Sequence, residues 1–350
     1  MSLAELYPGL EMGRATRDAY GEALRELGEA HDDIVVLDAD LAKSTRSWKF
    51  GEKFPERFVN VGIQEANMVG MAGGLALSGK VPFISSFACF VILKGFDQLR
   101  MAVAYPGTNV KISGSHGGVS VGEDGVSQQA SEDVALACAL PGMVVCVPSD
   151  ERLALAAVRA AYRHRGPVYI RTGRAPAPLV YDREPEDFAF GRAMRVRDGE
   201  DVTVIANGML VGAAIVAGER LAADGISVRV VDMHTVKPID VEEVQRAAEE
   251  TGAIVAAEEH LYSGGLGAAV AQAASRTHPV PMEYVSLGDT YAESGTAEDL
   301  LEKYGLTADG VVAAVRRALA RKGAHGPAGG GTTTAAAPAA AAGRSASAVG

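Results

Sequence analysis

Apolar positions along the first half of the chain recur with two alternating periods. Spacings of three and four cover Thr16 to Ala30 and Glu65 to Leu77, with further helical stretches near Gly95–Ala104, Glu132–Ala139 and Glu151–Arg163. Between them lie short runs rich in β-branched residues: Ile34–Leu37, Val59–Val61, Val81–Ser85, Val110–Ser113, Val144–Val147 and Val168–Arg171. Strands alternating with helices in this manner predict an α/β fold, a mostly parallel sheet with helices on both faces.

The pattern lapses after Thr172, where Pro176, Pro178, Pro185 and several charges accumulate. A second βα series follows. It has strands at Val202–Ala206, Val228–Asp232, Ile254–Ala257 and Tyr284–Ser286, and helices near Val211–Ala223, Val241–Glu250, Gly267–Ala274, Ala297–Tyr304 and Ala308–Arg321. The expected organisation is therefore one α/β domain over residues 1–175, a linker over 176–200 and a second α/β domain over 201–321. Residues 322–350 are dominated by Gly, Ala, Thr, Ser and Pro and contain no Phe, Tyr or Trp. They cannot bury enough apolar area to offset ordering entropy, so a disordered tail is predicted there.

Charge narrows the function classes. A net charge of −11 with no basic run disfavours nucleic acid or an anionic membrane surface as partner, yet a few arginines in one cleft would still hold a small phosphorylated ligand. Met1 to Arg14 carries Glu5, Pro8 and Glu11 where a leader would be apolar, and the apolar stretch from Val81 to Leu93 is short and broken by Pro and Ser. A cytoplasmic location is expected. Cys89, Cys138 and Cys146 lack metal-ligand spacing and read as buried free thiols.

Neither a G-x-G-x-x-G after the first strand nor a G-x-x-x-x-G-K-[ST] occurs, and Gly264-Gly265-Leu266-Gly267 reads better as the start of a tightly packed helix than as a phosphate loop. Three other segments stand at predicted strand ends, where α/β folds place ligands. They are Val61–Asn67, which contains Glu65; Ser85–Phe90, which contains Phe87 and Phe90; and the glycine-rich Ser115–Gly125, which contains His116, Glu123 and Asp124.

At these residues the sequence resembles the transketolase family, and more closely the C-terminal subunit of transketolases made of two chains. The Gly62–Glu65 element, the Phe87–Phe90 pair and the Gly122-Glu123-Asp124-Gly125 loop come in family order and spacing, and Asp232–Asp240 and Glu258–Gly267 add the matching second domain. The likeness runs from about Gly13 to Arg321. It implies a pyrimidine-binding domain followed by the family's C-terminal domain, with thiamine diphosphate as coenzyme. The family's diphosphate-binding domain carries a Gly-Asp-Gly…Asn motif, and this chain contains no Gly-Asp-Gly. The resemblance thus implies that Mg²⁺ or a similar divalent ion is held by a partner, an N-terminal transketolase subunit, in an α2β2 heterotetramer. No metal ligand is expected in this chain.

The resemblance also assigns residues. Glu65, beside apolar Ile63, Met68 and Val69, would hydrogen-bond the aminopyrimidine and promote loss of the thiazolium proton; as an isolated residue it would merely suit a helix start. Phe90 would stack on the pyrimidine with Phe87 beside it, although core packing at a strand end also suits both. His116 is expected at the catalytic site, touching the sugar's phosphate, and Asp124 at a hydroxyl. Arg17, Ser44 and Arg174 match the other phosphate-binding positions. Arg17 on a helix also suits solvent, Arg174 an interdomain salt bridge, and Ser44 a loop-shaping role. One position departs from the family pattern: Gln128 stands where a histidine usually meets the sugar hydroxyls, and it cannot shuttle protons near neutral pH. Asp40 and Lys94 receive no role, and the remaining histidines, His234 and His260 among them, show no metal spacing.

The resulting expectation is transfer of a two-carbon ketol unit from a ketose phosphate to an aldose or its phosphate. The alternatives are the β subunit of a 2-oxo acid dehydrogenase E1 component, which shares both domains and the glutamate, and a non-catalytic scaffold that keeps the fold.

Overall fold

The computed structural model describes residues 2–324. Its strands, in chain order, are β1 (Met12–Ala15), β2 (Ile34–Asp38), β3 (Phe58–Asn60), β4 (Val81–Phe87), β5 (Lys111–Ser115), β6 (Val144–Cys146), β7 (Val168–Arg171), β8 (Pro176–Pro178), β9 (Met194–Arg197), β10 (Val202–Ala206), β11 (Val228–Asp232), β12 (Thr235–Lys237), β13 (Ile254–Ala257) and β14 (Met282–Val285). The first domain is built on a seven-stranded sheet of order β12-β6-β7-β5-β4-β2-β3, the second on a five-stranded sheet of order β14-β13-β10-β11-β9. Both sheets are parallel except at one edge, where β12 runs against β6 and β9 against β11. The α/β reading holds for both domains.

Helices cover both faces of the first sheet. Thr16–Ala30 and Glu151–Arg163 pack on one side, where Tyr20, Leu24, Phe83, Leu153 and Val168 form a core. The helix Glu65–Leu77 packs on the other, through Met68, Val69 and Ala72 against Leu99, Val103, Ile84 and Ile112. Every residue of β4 is buried, as a central strand of a doubly covered sheet requires.

Three features depart from the sequence reading. The helix near Gly95–Ala104 is longer and irregular: π turns at Phe90–Lys94 and Leu99–Ala104 flank one α turn at Gly95–Gln98. The expected linker, 176–200, carries two short strands. β8 pairs with β1, and β9 extends the second sheet along β11. Pro-Ala-Pro reads as a breaker, but an edge strand in a two-stranded ribbon tolerates it. The third is β12, which leaves the second domain to pair with β6 of the first and ties the domains together through backbone.

The last helix runs Ala308–Ala324, and Lys322 Nζ donates to the carbonyls of Asp201 and Thr251 at 2.9 and 2.8 Å. The first three residues of the expected tail are thus helical; the others lie outside the described residues. Among the described residues no helix is long and apolar enough to cross a membrane. Cys89 and Cys146 are buried free thiols and Cys138 is half-buried.

Candidate active site

The C-terminal ends of the parallel strands gather the candidate residues. In the register Phe87 lies beside Ser115 and Asp38 beside Ser85, so the loops after β2, β4 and β5 open on one edge of the sheet. The loop after β3 leads into the helix Glu65–Leu77. Glu65 is its first residue, where a carboxylate complements the helix dipole, yet it is only 3% exposed. Oε2 lies 3.6 Å from Lys94 Nζ. Oε1 is buried with no hydrogen-bond partner, a costly arrangement that a ligand donor or shared proton would relieve. Of its expected apolar neighbours, Met68 and Val69 are buried, whereas Ile63 is 69% exposed.

The next layer is aromatic. Phe87 and Phe90 stack with centroids 5.5 Å apart, and Phe87 stacks on His116 at 3.7 Å. Phe90 stays half-buried and carries Lys94 Nζ over its ring at 4.4 Å. His116 is 2% exposed and takes up left-handed backbone (φ 59°), which turns its ring back onto Phe87. Its Nε2 lies 3.1 Å from Arg17 Nη1 and its Nδ1 lies 2.9 Å from Ser115 Oγ. A guanidinium can only donate, so Nε2 accepts and the ring proton sits on Nδ1. Burial, reinforced by Arg17, Arg174 and Arg46, pushes the imidazole down to about 3. It is a neutral ring.

Arg17 also donates to the Ser44 carbonyl at 3.0 Å, and its Nε is buried without a partner. Burial, together with Arg46 and Arg174, lowers its guanidinium below the usual range, against the pull of Asp18. Its helix position therefore faces the site, not solvent. Asp38 shapes the loop that brings Ser44 there, accepting from Leu41 N at 2.6 Å, Thr45 Oγ1 at 2.7 Å and Ser47 Oγ at 2.8 Å. Arg174 donates to the Val121 carbonyl and pairs with Glu123 Oε2 at 3.0 Å, a contact within the first domain, not between domains. Three guanidiniums acting on one buried imidazole, one of them with an unpartnered nitrogen, make a cradle for an anion.

The glycine-rich loop holds the remaining candidates. Asp124 is exposed on this loop. Gln128 is half-buried and accepts from Ser127 Oγ at 2.5 Å, while the Cys89 thiol donates to its carbonyl at 3.2 Å and ties the loop to the Phe87–Phe90 segment. From the second domain, Glu259 Oε1 accepts from Ser120 N at 2.5 Å. Gly118, at φ 82°, leaves room for that carboxyl; a Cβ there would stand 2.2 Å from Glu259 Cδ. Buried Arg171 pairs with Asp133 at 3.0 Å and donates to the Ala130 and Glu259 carbonyls. The loop is thereby fixed from both domains.

The Gly264–Gly267 segment does start a helix, Leu266–Arg276, and its first amides are taken by Glu258, which accepts from Leu266 N at 2.7 Å and Gly267 N at 2.8 Å. His234 and His260 are both fully buried, His234 against Phe188 and His260 hydrogen-bonded to the Leu261 carbonyl and Ala135 N.

Lys94 and Arg46 are among the contributors that the sequence reading missed. Lys94 sits four residues after Phe90, a spacing that places both on one helical face, and it meets Glu65 across two elements. Arg46 pairs with Asp18 at 2.6 Å and adds the third positive charge. The chain's own residues fit the ring half of the expected coenzyme: an aromatic platform beside a buried carboxyl with an open oxygen. Among the described residues no group of three or more His, Cys, Asp or Glu could hold a metal ion.

Comparison with known proteins places this geometry. Residues 12–178 match the model of the transketolase pyrimidine-binding domain, and residues 191–311 match that of the transketolase C-terminal domain. The putative transketolase C-terminal section of Methanocaldococcus jannaschii is 40% identical over 92% of this chain and its whole length. The 6-deoxy-6-sulfo-D-fructose transketolase subunit SqwH of a Clostridium species is 42% identical, covering 87% of this chain and 95% of its own. A solved structure described as a split gene transketolase, inactive beta4 tetramer, superposes with a TM-score of 0.81 at 47% identity, over 89% of this chain and 99% of that one.

Proposed function

Because this chain belongs to the transketolase family, we propose that it is the C-terminal subunit of a split transketolase, which moves a two-carbon ketol unit from a ketose phosphate to an aldose or its phosphate. The observation that carries the reading is the buried carboxyl of Glu65, its Oε1 unpartnered, one residue contact away from Phe90 and on the same strand-end edge as the Arg17–His116 cluster.

Thiamine diphosphate, when bound, supplies the electron sink for breaking and making the carbon–carbon bond. The chain's residues bind and orient. Glu65 holds a proton at the aminopyrimidine ring nitrogen. Phe90 offers a stacking face, and Phe87 backs it. Arg17, Arg174, Ser44 and His116 line the phosphate site; His116 does so as a neutral ring that orients the Arg17 guanidinium and takes up no second proton at ordinary pH. Asp124 and Gln128 reach the sugar hydroxyls from the loop. The divalent ion and the diphosphate fall to the Gly-Asp-Gly…Asn partner chain, in an α2β2 assembly in the cytoplasm.

The relatives support this division of labour. A similar chain forms an inactive tetramer of β subunits, which favours a need for the companion. Another is a subunit acting on a sulfonated ketose, which favours a terminal anion on the donor. The arginine cradle also suits a sugar phosphate better than a 2-oxo acid. The test is E65Q in the complex with the companion chain: ketol transfer is abolished on this reading, and unchanged transfer contradicts it.

A further inference from the structure

We propose that Lys94 is a positioning residue that occupies the coenzyme's ring site in the coenzyme-free chain, pairing with Glu65 over the face of Phe90 until the aminopyrimidine displaces it. This rests on the functional reading above. The two contacts made by the Lys94 ammonium are the two that an incoming ring would need. Nζ lies 3.6 Å from Glu65 Oε2 and 4.4 Å from the Phe90 centroid.

Local structure puts it there. Gly73 lets the helix Glu65–Leu77 approach the irregular helix closely, since a Cβ at that position would stand 2.7 Å from the Ala102 carbonyl oxygen. Phe90 and Lys94 are the two ends of one π turn, and the lysine's ammonium lies over the Phe90 ring while it meets Glu65. Such turns often mark functional sites. The pair is asymmetric: Glu65 is 3% exposed and Lys94 51% exposed. The lysine is therefore the member free to swing out, its long stem carrying the charge into solvent or toward the companion chain, while the carboxyl stays fixed in the fold. A ring stacked on Phe90 and hydrogen-bonded to Glu65 takes both places at once.

The experiment measures thiamine diphosphate affinity by calorimetry, with Mg²⁺, in the complex with the companion chain. Wild type, K94M, E65Q and the double variant are compared. K94M tightens coenzyme binding by about three- to tenfold in the Glu65 background, because no ion pair has to be broken, and by much less in the E65Q background. Weaker binding of K94M, or equal tightening in both backgrounds, overturns the proposal; the first result would make Lys94 a coenzyme or partner contact instead. The pair is read independently by thermal unfolding of the free chain. K94M lowers the midpoint when residue 65 is Glu and leaves it unchanged in E65Q, and equal shifts contradict the pairing. A wild-type complex that takes up no coenzyme overturns the functional reading and the displacement step together, while the free-chain comparison still decides whether the pair exists.

Discussion

Arg17 Nη1 stands 3.1 Å from His116 Nε2, a half-buried guanidinium set directly against a buried imidazole. The pairing works only while the ring is neutral, because an imidazolium there would face a donor with another donor. Sequence-level resemblance marks both residues as phosphate contacts. The geometry adds that they are coupled, and that the coupling fixes the tautomer.

A pH-dependent stability follows. The His116 imidazole is pushed from its ordinary 6.5 to about 3, so between those values the unfolded chain binds a proton that the folded chain refuses. Stability conferred at this site is therefore complete above pH 6.5 and falls as pH drops toward 3, by up to about 1.4 kcal/mol per pH unit. The variant H116N cannot titrate, and Asn tolerates the left-handed backbone at φ 59°. Denaturant unfolding of wild type and H116N at pH 8, 6 and 5 should show the difference shrinking with acidity.

Substitution of Arg17 tests the anion cradle. R17M removes a charged donor and the buried nitrogen with no partner, so KM for a phosphorylated donor rises by about ten- to a hundredfold in the assembled enzyme. The corresponding non-phosphorylated sugar loses little, and steady-state kinetics on both separates a phosphate contact from a general defect. Equal losses on the two would assign Arg17 to folding.

Much of this architecture is legible in the sequence, because its signals are local. The helices Thr16–Ala30, Glu65–Leu77 and Glu151–Arg163 and the strands Val168–Arg171, Val202–Ala206 and Ile254–Ala257 fall where periodicity puts them. β12 is not legible, since three residues, Thr235–Lys237, carry no period and their pairing partner belongs to another domain. Lys94 is missed for a related reason. Nothing in the run Phe90–Gly95 says that its lysine faces a glutamate twenty-nine positions earlier; only the packing of two helices does. Glu259 likewise looks like an ordinary acid beside Glu258 until the fold closes it over Ser120 N.

The interdomain clamp carries its own expectation. G118A forces a Cβ to within 2.2 Å of Glu259 Cδ and places a non-glycine residue at φ 82°. Strain and lost closure together cost about 2–4 kcal/mol. Thermal unfolding of the free chain should show a midpoint several degrees lower, whereas G225A, at a site with open space around it, pays only the backbone strain.

The central claim is that this chain supplies only the ring half of a coenzyme site. Calorimetric titration of thiamine diphosphate with Mg²⁺ into the purified chain, alone and then with the companion chain that carries the diphosphate-binding motif, tests it most directly. The chain alone should show no measurable uptake, and the mixture of the two chains should bind the coenzyme stoichiometrically. Saturable binding and ketol transfer by the chain on its own would contradict it.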